Sequence, residues 1–178
     1  HFGYESGNER VLKLMDKATT TEIMTKHLKY TAEAGIWNHC MGFFGFPGET
    51  KDEAWSSVEF LEQNKDYVHS LGFGTFDLGR HNPVAKHPEK FGVTAYKNPE
   101  WDLALDYYFT VKQGLSIEEA ERVFEEFERN HNPGWDLRLF IREYIFLYIA
   151  RFGLQKLPDL QFRSARVATV PPSLAGKM

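Results

Sequence analysis

Cysteine is almost missing from this chain: Cys40 is the one thiol among 178 residues. A single cysteine excludes an intramolecular disulfide framework, and it supplies neither the paired thiols of a structural zinc site nor the thiolates of an iron–sulfur cluster. The seven histidines do not replace them, since His81 and His87 stand in a loop with no cysteine pair nearby. Long apolar runs are lacking as well. The stretch 144–150, flanked by Glu143 and Arg151, is far too short to span a bilayer, which predicts a soluble chain with no membrane partner. An excess of positive charge is missing too: the formal net charge is -4 and the pI near 6.0, so there is no broad basic surface for nucleic acid. With no signal-like N-terminus, a reducing, cytoplasmic home is expected. The chain opens on His1 and almost at once enters what reads as the end of a strand, so the 178 residues are expected to be a piece of something longer.

The most informative stretch that is present runs Gly42-Phe43-Phe44-Gly45-Phe46-Pro47-Gly48-Glu49-Thr50. Residues Ile36 to Phe44 are rich in apolar and aromatic side chains, as a strand buried in a parallel sheet should be. Pro47-Gly48 suits a turn with positive φ at the glycine, and bare backbone lets a ligand approach closely. Thr50 and Glu53 then read as a capping box opening a helix. The segment does not match a phosphate-binding loop, because Gly48 is followed by Glu49-Thr50-Lys51 and not by Lys-Ser/Thr.

Around this joint the chain alternates. A short strand at Phe2 to Tyr4 is followed by Ser6-Gly7-Asn8-Glu9, which reads as a capping box leading to Val11, Leu12, Leu14 and Met15 at helical spacing. A second helix starts near Thr19 to Glu22 and stops at Gly35. The strand to Phe44, a helix from about Thr50 to Asn64, and a third strand from about Tyr67 to Leu78 complete the order of a parallel α/β sheet. From Gly79 to Asn98 the punctuation of Pro83, Pro88 and Gly92 predicts loop. Three helices are then expected: Trp101 to Gln113 after an Asn98-Pro99 cap, one opening at Ser116 to Glu119, and Trp135 to Phe152. Residues 154–178 read as a tail.

Ligands of parallel α/β sheets and barrels bind at the C-terminal ends of the strands. That rule selects Glu5-Ser6, the segment Gly45 to Glu49, and Asp77 to Arg80 as three neighbouring clusters on one rim. The landmarks Gly3-Tyr4-Glu5-Ser6, Leu14-Met15-Asp16-Lys17 with Thr20, Ala34-Gly35-Ile36 and Gly45-Phe46-Pro47-Gly48-Glu49-Thr50 form a series that resembles radical S-adenosylmethionine enzymes. The nearest likeness is to the branch of iron–sulfur enzymes that includes methylthiotransferases and cobalamin-dependent members.

The resemblance implies that residues 1–98 are the C-terminal half of a partial (β/α)6 TIM-like barrel, about three parallel strands with their helices. An all-helical extension over 99–153 and the tail 154–178 would follow. It implies that Glu5 and Ser6 contact the ribose of S-adenosylmethionine, that Gly45, Phe46, Pro47, Gly48 and Glu49 lie near its adenine, and that Phe76 and Asp77 flank the adenine edge. Lys17 could pair with a carboxylate of substrate or cofactor. The family's 4Fe–4S cluster needs a C-x3-C-x2-C loop that this chain does not contain, so cluster and cofactor would belong to the full-length parent. There a 5'-deoxyadenosyl radical would be made, and the fragment alone would be inert. The chain also departs from the family in a glycine-to-glutamate spacing longer by one residue. Two other readings stay open: a noncatalytic module that recognises a protein partner through its helical extension, and a complete small enzyme using Glu5, Glu49 and Asp77 as acid and base. A half-barrel also exposes an unpaired sheet edge, which predicts self-association.

Overall fold

The computed structural model describes residues 1–96, 105–131, 147 and 150–153. Three strands, β1 (Phe2–Glu5), β2 (His39–Phe44) and β3 (Ser70–Thr75), form a parallel sheet in that order. Helices α1 (Glu9–Leu14) and α2 (Thr21–Glu33) connect β1 to β2, and α3 (Lys51–Gln63) connects β2 to β3. This is the alternation that the sequence predicts, and the architecture is mixed α/β. Among the described residues the sheet does not close into a barrel.

Local chemistry sets these elements. The Thr20 hydroxyl accepts the Ile23 amide to start α2, which buries Met24 and Leu28 on one face. Thr50 and Glu53 form the expected reciprocal capping box of α3, which buries Ala54, Ser57, Val58, Phe60 and Leu61. At the start of α1 the expectation is corrected: Asn8, not Ser6, is the N-cap, and its side chain accepts the Arg10 and Val11 amides. Glu9 turns instead to the Thr21 amide and hydroxyl, tying α1 to α2. Alternate β2 residues Cys40, Gly42 and Phe44 are buried, and Gly42 leaves the space that the Phe73 ring fills. Tyr4, Leu12, Met24, Leu28, Cys40, Phe60, Leu61 and Val68 make the core between sheet and helices.

The second half differs from the sequence reading. The segment expected as one long strand to Leu78 splits into β3 and a short β4 (Leu78–Gly79). Residues expected as loop form α4 (Pro83–Lys86), a 3-10 turn (Pro88–Phe91) and β5 (Val93–Tyr96). The expected helix from Trp101 to Gln113 is overturned by β6 (Asp106–Val111). Tyr107-Tyr108-Phe109-Thr110-Val111 is aromatic and β-branched, a composition that fits a pleated, half-buried surface better than a helix. An antiparallel sheet in the order β4-β6-β5 results, with Leu78 opposite Tyr107 and Val93 opposite Val111. The region 99–153 is therefore not all-helical. Helix α5 (Ile117–His131) does follow the expected opening: the Ser116 hydroxyl accepts the Glu119 amide, and the Glu119 carboxylate accepts the Ser116 amide. The Asn98-Pro99 cap, most of the helix expected over Trp135 to Phe152, and the tail 154–178 lie outside the described residues.

Candidate functional site

Because β1, β2 and β3 are parallel neighbours, the segments that leave their C-terminal ends share one rim. Glu5, the last residue of β1, has a φ of 64°, a left-handed conformation that a glutamate adopts only at a cost of about 1 kcal/mol. A tight turn follows at once, with the Ser6 amide donating to the Tyr4 carbonyl at 2.8 Å. The Glu5 carboxylate lies over Gly3, where a Cβ would stand only 2.8 Å from its Oε1. Lys17 Nζ donates to the same oxygen at 3.0 Å; Lys17 is open to solvent and Glu5 is half-buried.

Ser6 points the other way. It is fully buried; its hydroxyl meets the Ser57 hydroxyl at 3.2 Å and accepts the Asn8 amide at 3.2 Å, while Ser57 also receives the Gly7 amide. Tyr4 completes this knot by donating to the Ser57 carbonyl at 2.8 Å. The sequence places Glu5 and Ser6 together as ribose contacts, whereas the structure sends them to opposite sides of the chain. The left-handed turn at Glu5 is the physical reason: with the Ser6 amide folded back on the Tyr4 carbonyl, Ser6 and Tyr4 both bond to Ser57 in the interior, and Glu5 between them does not.

The loop after β2 is held on three sides. Arg10 of α1 makes a two-pronged pair with Glu53 of α3 and also donates to the Gly48 carbonyl at 2.6 Å. This guanidinium holds the Glu53 carboxyl down at about 2. Gly45 and Gly48 have φ values of 85° and 88°, as the turn requires. A Cβ on Gly45 would collide with that of Ala120 on α5, 2.5 Å away. From the β6–α5 turn, the Leu115 amide donates to the Glu49 carbonyl at 2.8 Å. Glu49 itself is fully buried. Its Oε2 accepts the Gly45 amide at 2.6 Å, its Oε1 has no partner among the described residues, and burial pushes its carboxyl up to about 7.

Phe46 and Pro47 are also buried, and Gly48 is half-buried. Phe46 belongs to a core of Val11, Leu78, Val84, Val93 and Phe109, against which Phe43, Phe76 and Phe91 pack. Its ring meets the Phe76 ring edge-on at 5.4 Å, and Phe76 meets Phe109 at 5.6 Å. The antiparallel sheet thus roofs the C-terminal ends of β2 and β3. Asp77 beyond it is exposed, and partial burial together with the neighbouring Asp106 raises its carboxyl.

The structure therefore brings Glu5 and Lys17 together on an open part of the rim and leaves Gly48 half-buried nearby in the chain's turn. Ser6, Gly45, Phe46, Pro47 and Glu49 serve the interior. The sequence reading missed Arg10, Gly114 and Leu115, which shape the loop from outside it. The Gly114-Leu115 pair just before the Ser116 cap was the visible signal, since a glycine ahead of a helix often admits close backbone packing. A separate groove of about 530 Å³ lies between α3 and α5, lined by Trp55, Val58, Glu59, Glu62, Gln63, Glu126 and Asn130. Among the described residues no group of histidine, cysteine and carboxylate side chains is arranged to hold a metal ion, and no helix is long and apolar enough to cross a membrane.

No family model matches the chain. It is similar to the uncharacterized protein MJ1620 of Methanocaldococcus jannaschii, with 27% identity over 71 residues. That match covers 40% of this chain and only 14% of the archaeal protein.

Proposed function

We propose that the rim at the C-terminal ends of β1 and β2 binds the nucleoside part of S-adenosylmethionine, and that the chain is part of a radical S-adenosylmethionine enzyme. The observation that carries this reading is Glu5. A carboxylate held in a costly left-handed conformation, at the end of a parallel strand and beside a glycine-rich turn, is where such folds place ligand contacts. Its two oxygens accept from a diol, and Lys17 offers a cation to a carboxylate of the same ligand or of the substrate.

Bound S-adenosylmethionine would supply the deoxyadenosyl group. The residues on this chain orient it: Glu5 on the ribose, Lys17 on a carboxylate, Gly48 giving close access to backbone, and the aromatic roof of Phe43, Phe46 and Phe76 excluding water from one side. Ser6 and Glu49 support the rim from within, without touching ligand. The residues present do not fit a 4Fe–4S cluster. Cys40 is the one cysteine; it is fully buried in mid-strand, and burial pushes its thiol up to about 12. The reading therefore routes no step through a cluster on this chain.

Titration calorimetry with S-adenosylmethionine and 5'-deoxyadenosine tests the proposal. Saturable binding to the wild type and its loss in Glu5→Gln are expected, and no binding of either compound would overturn it. One observation favours a second reading, a binding module: the α3–α5 groove sets Trp55 and Val58 among the acidic Glu59, Glu62 and Glu126, which suits a basic, partly apolar segment of a partner. Retention of such a partner by Glu5→Gln and its loss by Glu62→Lys would mark that case.

A further inference from the structure

One carboxyl group ties the Gly45–Glu49 loop together from within. Glu49 Oε2 accepts the Gly45 amide at 2.6 Å and so draws the last residue of the loop back onto the first. The Glu49 backbone is pinned independently: its amide donates to the Phe46 carbonyl at 2.8 Å, and its carbonyl accepts the Leu115 amide at 2.8 Å. The Phe46 amide also bears on the carboxyl and, like the Gly45 amide, favours its ionised form, but burial outweighs both; Oε1, equally buried, accepts no hydrogen bond among the described residues.

The titratable and charged groups bearing on this carboxyl are Tyr4 of β1, Arg10 of α1 and Glu53 of α3. The turn before α5 and α5 itself contribute the uncharged Gly114, Leu115 and Ala120. Arg10 is engaged with Glu53 and the Gly48 carbonyl, so it does not reach Oε1 as a donor. A neutral carboxyl can occupy such a place. An ionised one sets charge on an oxygen with no donor, which costs more than an unmatched neutral group, and water reaching Oε1 past a displaced loop is the simplest relief.

We infer that Glu49 is a positioning residue acting as a proton-operated latch: neutral, it holds the Gly45–Gly48 segment closed against the β6–α5 turn, and ionised, it lets that segment open. Burial works in the same direction, raising the carboxyl to about 7, so the latch would operate near neutral pH. Its consequence for ligand rests on the nucleoside reading of the rim; the latch itself belongs to the loop.

Carboxyl carbon NMR of Glu49 and hydrogen exchange at the Gly45 amide, followed from about pH 5.5 to 8.5, test it. The Glu49 resonance should titrate near neutrality, and Gly45 exchange, corrected for hydroxide, should accelerate about tenfold across the same midpoint. Glu49→Gln keeps an oxygen acceptor for Gly45 and should stay protected throughout. In the wild type, 5'-deoxyadenosine binding should weaken through that midpoint and remain level in Glu49→Gln. An ordinary glutamate midpoint, or the same Gly45 profile in both proteins, would overturn the inference. Nucleoside binding that stays level with pH while Glu49 titrates would overturn the latch as a control of the rim. A Gly45 amide that responds as expected, with no nucleoside bound at any pH, would uphold the latch and sink the nucleoside reading. If Glu49→Gln does not fold, the wild-type titration and Gly45 exchange decide by themselves.

Discussion

Gly114 and Glu49 meet backbone to backbone: a side chain on Gly114 would place its Cβ 2.6 Å from the Glu49 carbonyl oxygen and 2.9 Å from the Glu49 amide nitrogen. Gly114 also has a φ of 91°, outside the range an alanine takes without strain. Two penalties therefore combine in Gly114→Ala, left-handed strain and backbone displacement, together worth about 2–4 kcal/mol. The shift of the urea midpoint measures it. A loss below about 0.5 kcal/mol, the size of an ordinary surface change, would mean that the turn is free to move away from the loop.

Ser6→Ala separates an interior hydroxyl from a ligand contact. Removing the hydroxyl leaves Ser57 and the Asn8 amide short of a partner in the interior, a loss of about 1–3 kcal/mol in stability. Nucleoside affinity, measured by calorimetry at a temperature where the variant is folded, should be unchanged. Abolished binding in a folded Ser6→Ala protein would restore Ser6 to the ribose.

Glu5 gives the opposite pattern. Glu5→Gly relieves the left-handed strain and loses only an exposed ion pair with Lys17, worth about 0–1 kcal/mol, so the variant should be about as stable as the wild type. It should nevertheless bind no nucleoside. A stable variant with undiminished affinity would remove Glu5 from the site.

Two groups of titrations should pull stability in opposite directions. Burial lowers the imidazoles of His39 and His69 in the folded chain, so the unfolded chain takes up protons first as pH falls. Their contribution is complete above about 6.5 and declines as pH drops below it. His69 Nδ1 accepts the Asn38 amide at 2.9 Å, which a protonated ring could not do. Glu49 behaves the other way: with a folded value of about 7 against an ordinary 4.5, stability is complete below 4.5 and falls as pH rises through 7, by an amount of about 3 kcal/mol. Urea unfolding across this range should show the high-pH loss vanish in Glu49→Gln, and the low-pH loss shrink in His69→Gln. A Glu49→Gln profile that still declines from 4.5 to 7 would place the titration elsewhere.

The outer edge of β1 pairs with no strand among the described residues, and Ile23, Tyr30, Ile36 and Met41 are exposed. An open parallel edge with apolar neighbours should promote association between copies. Light scattering over a concentration series should report a rising mass, and a constant monomer mass would count against it.

The part of the fold built on local chemistry was readable from residues. Thr50 with Glu53, Thr20 before α2, and Gly35 after it each announce an end that the structure respects. The antiparallel sheet was not, because β6 acquires its strand form from partners distant in sequence, Val93 opposite Val111 and Leu78 opposite Tyr107, and helical spacing of apolar residues in the same segment competes with that choice. The rim was legible as a location, since strand ends gather ligands. Which side chains face outward was not. That depends on the turn at Glu5, whose left-handed residue leaves its own carboxylate at the rim while Tyr4 and Ser6 on either side both bond inward to Ser57.

The Leu115 amide that reaches the Glu49 carbonyl has a consequence for synthesis. Residues 1–75 can leave the ribosome and pair as a parallel sheet, but the loop after β2 then lacks the turn that fixes it. At ordinary elongation rates the missing segment follows roughly 2 to 8 seconds later. During that interval the nascent chain would hold its scaffold without its finished rim, and a messenger cut short before the codon for Leu115 would yield the helices and strands of the first half with the rim still unset.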